Sequence, residues 1–185
     1  MRVCILSDSH DNRHLLAEAG RDAVARGAEA ILHCGDVVAP TTLRVLLPLD
    51  VPVHVIHGNN MGDLATLSRL AHRDDNRLAY HDQDAALELA GRRVFLVHFP
   101  HYARALATTG DWDLVCCGHD HRPYVEQVQN VAGGTTPVVN PGTVGGVGHA
   151  PTYVLADLDA MTFEVLPVPV PEEQACNRTP VTPHD

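Results

Sequence analysis

Cys117-Gly118-His119-Asp120-His121 follows directly on the apolar residues Leu114-Val115-Cys116, and reading the two together decides the fold. The apolar run is a buried strand by its composition, and the histidine pair leaves from its end. Gly118 lets the backbone turn sharply there. In an extended segment, positions i and i+2 point to the same side, so both imidazoles face one pocket at the strand's carboxyl end. Open α/β sheets place their chemistry at those ends. The chain supplies matching groups four more times, each where an apolar run stops.

Arg2 to Ser7 stops at Asp8-Ser9-His10-Asp11-Asn12, and a helix is expected over Arg13 to Arg26, with Leu15, Leu16, Ala19, Ala23 and Val24 on one face and Asn12 as its N-cap. Ala28 to Cys34 is a second strand ending at Gly35-Asp36. A short helix, Thr41 to Leu47, is expected to close at Pro48. Val51 to His57 is a third strand ending at Gly58-Asn59-Asn60, with a helix over Gly62 to Ala71 and a polar connector from Arg73 to Arg77. The pattern then changes. Leu78 to Tyr80 and Ala85 to Ala90 read as a hairpin pair, Val94 to Val97 runs into His98, and a helix from Tyr102 to Thr108 precedes the Leu114 strand. Beyond Arg122 the chain is strand and turn: Tyr124 to Val131, Pro137 to Asn140, Thr152 to Leu158 and Thr162 to Leu166. Alternating β and α followed by mostly β predicts an α/β fold of two sheets held between helices.

The bulk numbers narrow the class. A chain of 185 residues is expected to form one domain, here 1–166, burying roughly 70% of its unfolded surface. Pro167 to Asp185 holds five of the prolines and is expected to be an extended Pro-rich tail. A homo-oligomer, with that tail against a neighbouring subunit, stays open. A formal charge of −10 excludes a general nucleic-acid-coating protein. It does not exclude an anionic substrate, because bound divalent cations reverse the field locally. Five cysteines, four of them inside apolar runs and none in C-x-x-C, fit a reducing compartment better than a disulfide framework. With no signal segment at the start and no stretch of 18 apolar residues, the expectation is a cytoplasmic protein without a membrane span.

The strand ends together offer Asp8, His10, Asp36, Asn59, His98, His119 and His121. Two carboxylates, one amide and four imidazoles make a mixed oxygen and nitrogen set, suited to Mn, Fe, Co, Ni or Zn rather than to Mg or Ca. Seven ligands exceed one such ion and suit two that share a bridge. Asp36, alone on its strand end, is the natural bridging carboxylate. Two divalent cations against two carboxylates leave the pocket at +2, or +1 once a hydroxide bridges them, which draws in a phosphate oxygen. Two metals about 3.5–4 Å apart generate hydroxide at neutral pH and clamp both oxygens of an in-line displacement.

Asp8-x-His10, Gly35-Asp36, Gly58-Asn59, His98 and Gly118-His-x-His121, in that order, resemble the motifs of the calcineurin-like metallophosphoesterases. The resemblance reaches to about residue 166 and includes Asn140-Pro141-Gly142-Thr143, similar to a family loop near the site. Chain length and the lack of a large insertion point to the small YfcE-like phosphodiesterase branch. The fold implied is a four-layer αββα sandwich with a dinuclear metal site at the strand carboxyl ends. By that resemblance Asp8, His10, Asp36 and His121 hold one cation, and Asp36, Asn59, His98 and His119 the other, with manganese the first expectation. The activity implied is hydrolysis of a small phosphodiester by the hydroxide the two cations activate.

Two positions depart from the family. Where it often has a histidine that protonates the leaving group, followed by an aspartate, this chain has Asn60 and Met61. An amide delivers no proton, so general-acid help, typically worth ~10²–10⁴-fold, must come from elsewhere. That favours phosphodiesters with good leaving groups. The family's His-Gly-His is here His98-Phe99-Pro100-His101, which keeps His98 as a ligand and makes His101 a candidate substitute acid. Two other readings stay open: a non-catalytic scaffold resembling the retromer subunit of this superfamily, and a phosphomonoesterase or nuclease on the same site. Of the remaining histidines, His33, His54 and His57 read as packing or ligand-orienting groups, and His14, His72, His81, His149 and His184 as surface or loop residues. Asn12 and Arg13 are candidates to touch phosphate. The glycines of Gly142 to Gly148 lack the Lys-Ser/Thr of a P-loop and read as turns.

Overall fold

The central strands of the computed structural model, which describes residues 1–73 and 77–169, are buried almost throughout, with alternate residues entering opposite apolar clusters. In β1 (Arg2–Leu6), Val3 and Ile5 enter one apolar cluster while Cys4 and Leu6 enter another. β2 (Ala30–His33) sends Ala30 and Leu32 to the first and Ile31 to the second. A strand apolar on both faces must be covered on both, and that requirement alone calls for a layered structure.

The first sheet continues through β3 (Val53–Val55) and β4 (Leu78–Tyr80). The second contains β5 (Asp84–Leu89), β6 (Arg92–Val97), β7 (Leu114–Cys116), β8 (Pro123–Gln129) and β9 (Thr135–Pro141), and β10 (Thr152–Asp157) and β11 (Thr162–Pro167) return to the first. The orders are β11-β10-β1-β2-β3-β4 and β5-β6-β7-β9-β8. β1 to β4 run parallel, as do β6, β7 and β9, so the carboxyl ends of these strands gather on one edge.

Among the described residues, three α-helices cover the outer faces. α1 (Arg13–Ala25) buries Leu16, Ala19, Gly20 and Ala23, a stripe at helical spacing, and α2 (Leu64–Ala71) buries Leu67 and Leu70 in the same outer cluster of the first sheet. The Asn12 carboxamide oxygen accepts the Leu15 N–H at 3.2 Å, as an N-cap should. α3 (Pro100–Thr108), opened by a proline at its first position, packs Ala103 and Ala107 on Val97, Val115 and Val138 of the second sheet. Val3, Ile5, Leu32, Leu96, Leu114, Val139 and Val154 fill the space between the sheets. The result is the four-layer αββα sandwich.

Several elements differ from expectation. Thr41 to Leu47 is not an α-helix: 3₁₀ turns span Pro40–Val45 and Leu47–Leu49. Pro48 has no N–H to give the Arg44 carbonyl, so an α-helix cannot run through it, and at the start of the segment the Asp11 carboxylate takes the Ala39 N–H at 2.7 Å and the Thr42 hydroxyl at 2.9 Å. Leu78 to Tyr80 and Ala85 to Ala90 do not form a hairpin. β4 adds to β3 in parallel, and β5 turns at Ala90-Gly91 to pair antiparallel with β6 in the other sheet. α3 begins at Pro100 rather than Tyr102. The core also outlasts residue 166, since Val168 is buried and its N–H reaches the Pro151 carbonyl at 3.0 Å. Residues 74–76 of the Arg73 to Arg77 connector and 170–185 of the Pro-rich tail lie outside the described residues.

A candidate metal centre at the strand ends

Gly58 and Gly118 show how tightly this edge is closed. A Cβ on Gly58 would stand 2.1 Å from Asp36 Oδ1, and one on Gly118 would stand 1.9 Å from Ser7 Oγ and 2.7 Å from Asp8 Oδ2. No side chain fits at either position, so the glycine in each motif is a requirement of close approach. The neighbouring site residues are themselves twisted. Asp8, His10, Asp36, His119 and His121 have φ of +54°, +41°, +56°, +75° and +60°. Left-handed backbone costs a non-glycine residue roughly 1–2 kcal/mol and gathers where function holds it in place. Here the Asp8 N–H donates to the Gly35 carbonyl, the His10 N–H to the Asp36 carbonyl and the His119 N–H to Asp8 Oδ2, each at 3.0 Å.

All seven sequence-predicted groups converge. The nearest ligand atoms of Asp8, His10 and His121 lie within 4.8 Å of one another, as do those of Asp8, Asp36 and His98. His121 Nε2 stands 3.3 Å from Asp8 Oδ1 and 3.1 Å from His10 Nε2. Asp36 faces both ways, with Oδ1 3.4 Å from His98 Nε2 and Oδ2 3.8 Å from His10 Nε2. Asn59 Oδ1 lies 3.0 Å from His98 Nε2 and 2.8 Å from His119 Nδ1, which ties Asn59 and His119 to His98.

The ring orientations are set from behind. His98 Nδ1 donates to the Cys34 carbonyl and His121 Nδ1 to the Val147 carbonyl, both at 2.8 Å, which turns each Nε2 lone pair inward. Asp8 is fully buried, and its Oδ1 has no hydrogen-bond partner. Burial pushes its carboxyl above the usual carboxylate range, since a lone buried charge is costly. An orphaned carboxylate oxygen beside inward-turned imidazole lone pairs is chemistry for a cation, and the donor set fits a borderline divalent metal.

The residues behind the ligands also have defined work. Gly35 N–H donates to His33 Nδ1 at 3.3 Å, which leaves the proton on Nε2 to be donated to Ser9 Oγ at 3.2 Å. Burial lowers the His33 pKa to about 3, so this ring stays neutral. Asn140 Nδ2 donates to the Gly118 carbonyl at 2.8 Å and to Asp120 Oδ1 at 2.7 Å, clamping the turn that carries His119 and His121. Thr143 Oγ1 donates to the Asp8 carbonyl at 2.9 Å. The loop that begins at Asn140-Pro141-Gly142-Thr143, whose glycines read as turns in the sequence, is therefore a wall of the site. Asn12 also braces it, its Nδ2 reaching the Gly145 carbonyl at 3.0 Å, while Arg13 is exposed.

Asn60 lies against Asp36, its N–H 2.8 Å from Oδ1 and its Nδ2 2.6 Å from Oδ2. His101 is exposed on the first turn of α3, its ring 4.1 Å from that of Tyr102 and 5.6 Å from that of Phe99. Phe99 in turn stands 4.7 Å from the His119 ring, so one aromatic ring separates His101 from the ligands. His54 and His81 pair at 3.0 Å, and His57 meets the Tyr80 hydroxyl at 2.6 Å. His14 departs from its surface expectation: it is half-buried on α1, with Nε2 enclosed and unpartnered. His184 lies outside the described residues. Cys4, Cys34, Cys116 and Cys117 are free and buried, as expected of small apolar groups. Among the described residues, no helix is long and apolar enough to cross a membrane.

A two-sheet sandwich with a metal-binding cluster at one strand edge is the arrangement of a metal-dependent phosphoester hydrolase. The chain belongs to the calcineurin-like phosphoesterase superfamily, whose domain model matches residues 1–161. A phosphodiesterase of Methanocaldococcus jannaschii is 27% identical over 166 residues, covering 88% of this chain and 96% of that protein. The solved structure of an archaeal phosphodiesterase superposes with a TM-score of 0.80 at 24% identity, covering 90% of this chain and 99% of the other. The YfcE phosphoesterase of E. coli gives 0.62 at 18%, covering 91% and 100%. Vacuolar protein sorting 29 of Cryptosporidium parvum gives 0.60 at 15%, covering 89% and 95%, a likeness of fold.

Proposed function

We propose that this metallophosphoesterase hydrolyses phosphodiesters, with Asp36 shared between two divalent cations. The observation that carries the reading is the placement of Asp36, whose two oxygens face two separate histidine groups across a buried edge. Asp8, His10, Asp36 and His121 would hold one cation, and Asp36, Asn59, His98 and His119 the other, manganese being the first metal to try. When bound, the cations would polarise the phosphoryl oxygens and lower the pKa of the water that attacks phosphorus.

The protein's own part is orientation. Cys34 and Val147 carbonyls fix the His98 and His121 tautomers, the His119 N–H holds Asp8, and Asn60 holds both oxygens of Asp36. Asn60 is thus a positioning residue and carries no titrating proton to a leaving oxygen. That supports esters whose leaving groups depart unaided, and phosphodiesters over unactivated monoesters. The likeness to a named phosphodiesterase along nearly the whole chain points the same way.

The test is turnover of bis(4-nitrophenyl) phosphate by metal-free protein reloaded with manganese, alongside metal analysis. Two ions per chain, turnover on loading, and loss of at least about 10²-fold in Asp36→Asn are expected. Metal bound without turnover on any diester would sink the reading and favour a scaffold. Turnover confined to monoesters or to nucleic acid would move the substrate and keep the site.

A further inference from the structure

Beside the candidate centre, and beyond the ligands, a cavity of about 250 Å³ opens against Asn59 and His98. Met61, Val97, Phe99 and Tyr102 give it a mostly apolar and aromatic wall, which His57, Gly58 and Gln83 complete. Phe99 and Tyr102 stand edge to face, with centroids 5.9 Å apart at 85°. Met61 and Tyr102 are 47% and 50% exposed, so both side chains are open to a ligand entering the cavity. Past Tyr102, the trough continues over the outer face of the second sheet beside Phe95 and Leu106.

We propose that this cavity seats a planar aromatic ring carried by an ester group of the substrate's phosphoryl centre, so that Met61, Phe99 and Tyr102 are specificity residues of the site. The inference rests on the phosphoester reading and adds a substrate class to it. Three observations fix the occupant. Asn59 and His98 line the cavity, so a group seated in it lies directly against the proposed cation site. An apolar cavity of roughly 150 Å³ already accepts benzene, so the space here takes one substituted ring without crowding. The Phe99 and Tyr102 rings, set at right angles, offer a ring both an edge and a face, and Met61 supplies a soft sulfur contact on the open side.

The test uses phosphonates, whose phosphorus–carbon bond resists hydrolysis, so that binding is read without turnover. Calorimetric titration of the full chain loaded with manganese should show phenylphosphonate binding about tenfold tighter than methylphosphonate. Met61→Ala and Tyr102→Ala should each cut that phenyl-to-methyl ratio by about threefold or more, and Tyr102→Phe should keep it, because the ring and not the hydroxyl makes the contact. Equal affinity for the two ligands overturns the proposal. A phenyl preference untouched by both alanine variants does so too, because the ring must then sit elsewhere. Since both variants alter half-exposed side chains, the fold should survive, and a circular dichroism spectrum checks that it does. The diester assay reports separately on the reading beneath: a protein that prefers phenylphosphonate yet hydrolyses no diester keeps the aromatic subsite and loses the phosphodiesterase.

Discussion

His33 should make this fold sensitive to mild acid, and by a calculable amount. The ring is buried completely, with Nδ1 taking the Gly35 N–H and Nε2 giving its proton to Ser9, so a second proton has no acceptor to meet. Burial lowers its pKa from 6.5 to about 3. A histidine whose folded pKa lies below its unfolded value stabilises the fold fully above the unfolded pKa and less as pH falls, because the unfolded chain then binds the extra proton. At pH 5 nearly all unfolded His33 is charged while the folded ring stays neutral, a penalty of about 2 kcal/mol relative to pH 8. Asp8 works in the opposite sense, since its raised pKa adds stability as pH falls. The clean measurement is therefore a difference. In chelator, urea unfolding of the natural protein and of His33→Asn, which keeps an acceptor for Gly35, should be compared at pH 8, 6 and 5. The variant should be less stable at pH 8 by about 1–3 kcal/mol, from lost volume and a lost hydrogen bond. That gap should close by about 2 kcal/mol at pH 5. A gap that stays constant across the range would refute the buried neutral imidazole.

Gly118→Ala should destabilise the fold by about 1–3 kcal/mol, read in the same urea assay, because the new methyl overlaps Ser7 and Asp8. Metal loading should suffer with it. Manganese binding should weaken steadily from pH 8 to pH 5, because protons compete with the cation for imidazole nitrogens; equilibrium dialysis that found loading flat over this range would count against four histidine ligands. Asn60→His places a titrating group beside Asp36, so rates for esters with poor leaving groups should rise about tenfold or more while those for nitrophenyl esters change little. A series of diesters graded by leaving-group acidity checks this as a flattening of the rate dependence.

The candidate site was legible in the sequence because each ligand stands at the end of a short apolar run, where composition marks both the strand and its terminus. What holds the ligands was not. Val147 reaches His121 through a backbone carbonyl, a contact any residue type could make, so no side chain signals it. His33 was visible only as a histidine in a strand; its two hydrogen bonds depend on how β2 and the loop after β1 meet. Sheet membership was similarly hidden. Only four residue steps separate β4 from the start of β5, and short apolar stretches at that spacing suit a hairpin. Instead β4 takes the open edge beside β3 while β5 pairs across Ala90-Gly91. Pairing to a remote parallel neighbour leaves no local pattern. In the sequence Pro48 reads as the stop of one short helix, whereas the segment is two 3₁₀ turns and Pro48 lies inside the second.

The sandwich explains why no smaller piece of this chain could form the centre. Asp8, His10, Asp36 and Asn59 leave the first sheet, while His98, His119 and His121 leave the second. Each proposed cation draws on both: one needs His121 beside Asp8 and His10, the other His98 and His119 beside Asn59. The joint is built of backbone as well as side chains, since the His119 N–H meets the Asp8 carboxylate and the His98 ring reaches back to the Cys34 carbonyl. The apolar layer between the sheets, with Ile5, Leu32, Leu96 and Leu114 fully buried, fixes their separation over the whole face. At the strand ends that layer gives way to polar groups, and it is the packing below which holds their distances constant. A change in core volume far from the ligands, such as Leu114→Ala at the base of β7, would therefore reach the centre by letting one sheet settle against the other, even though it removes no ligand.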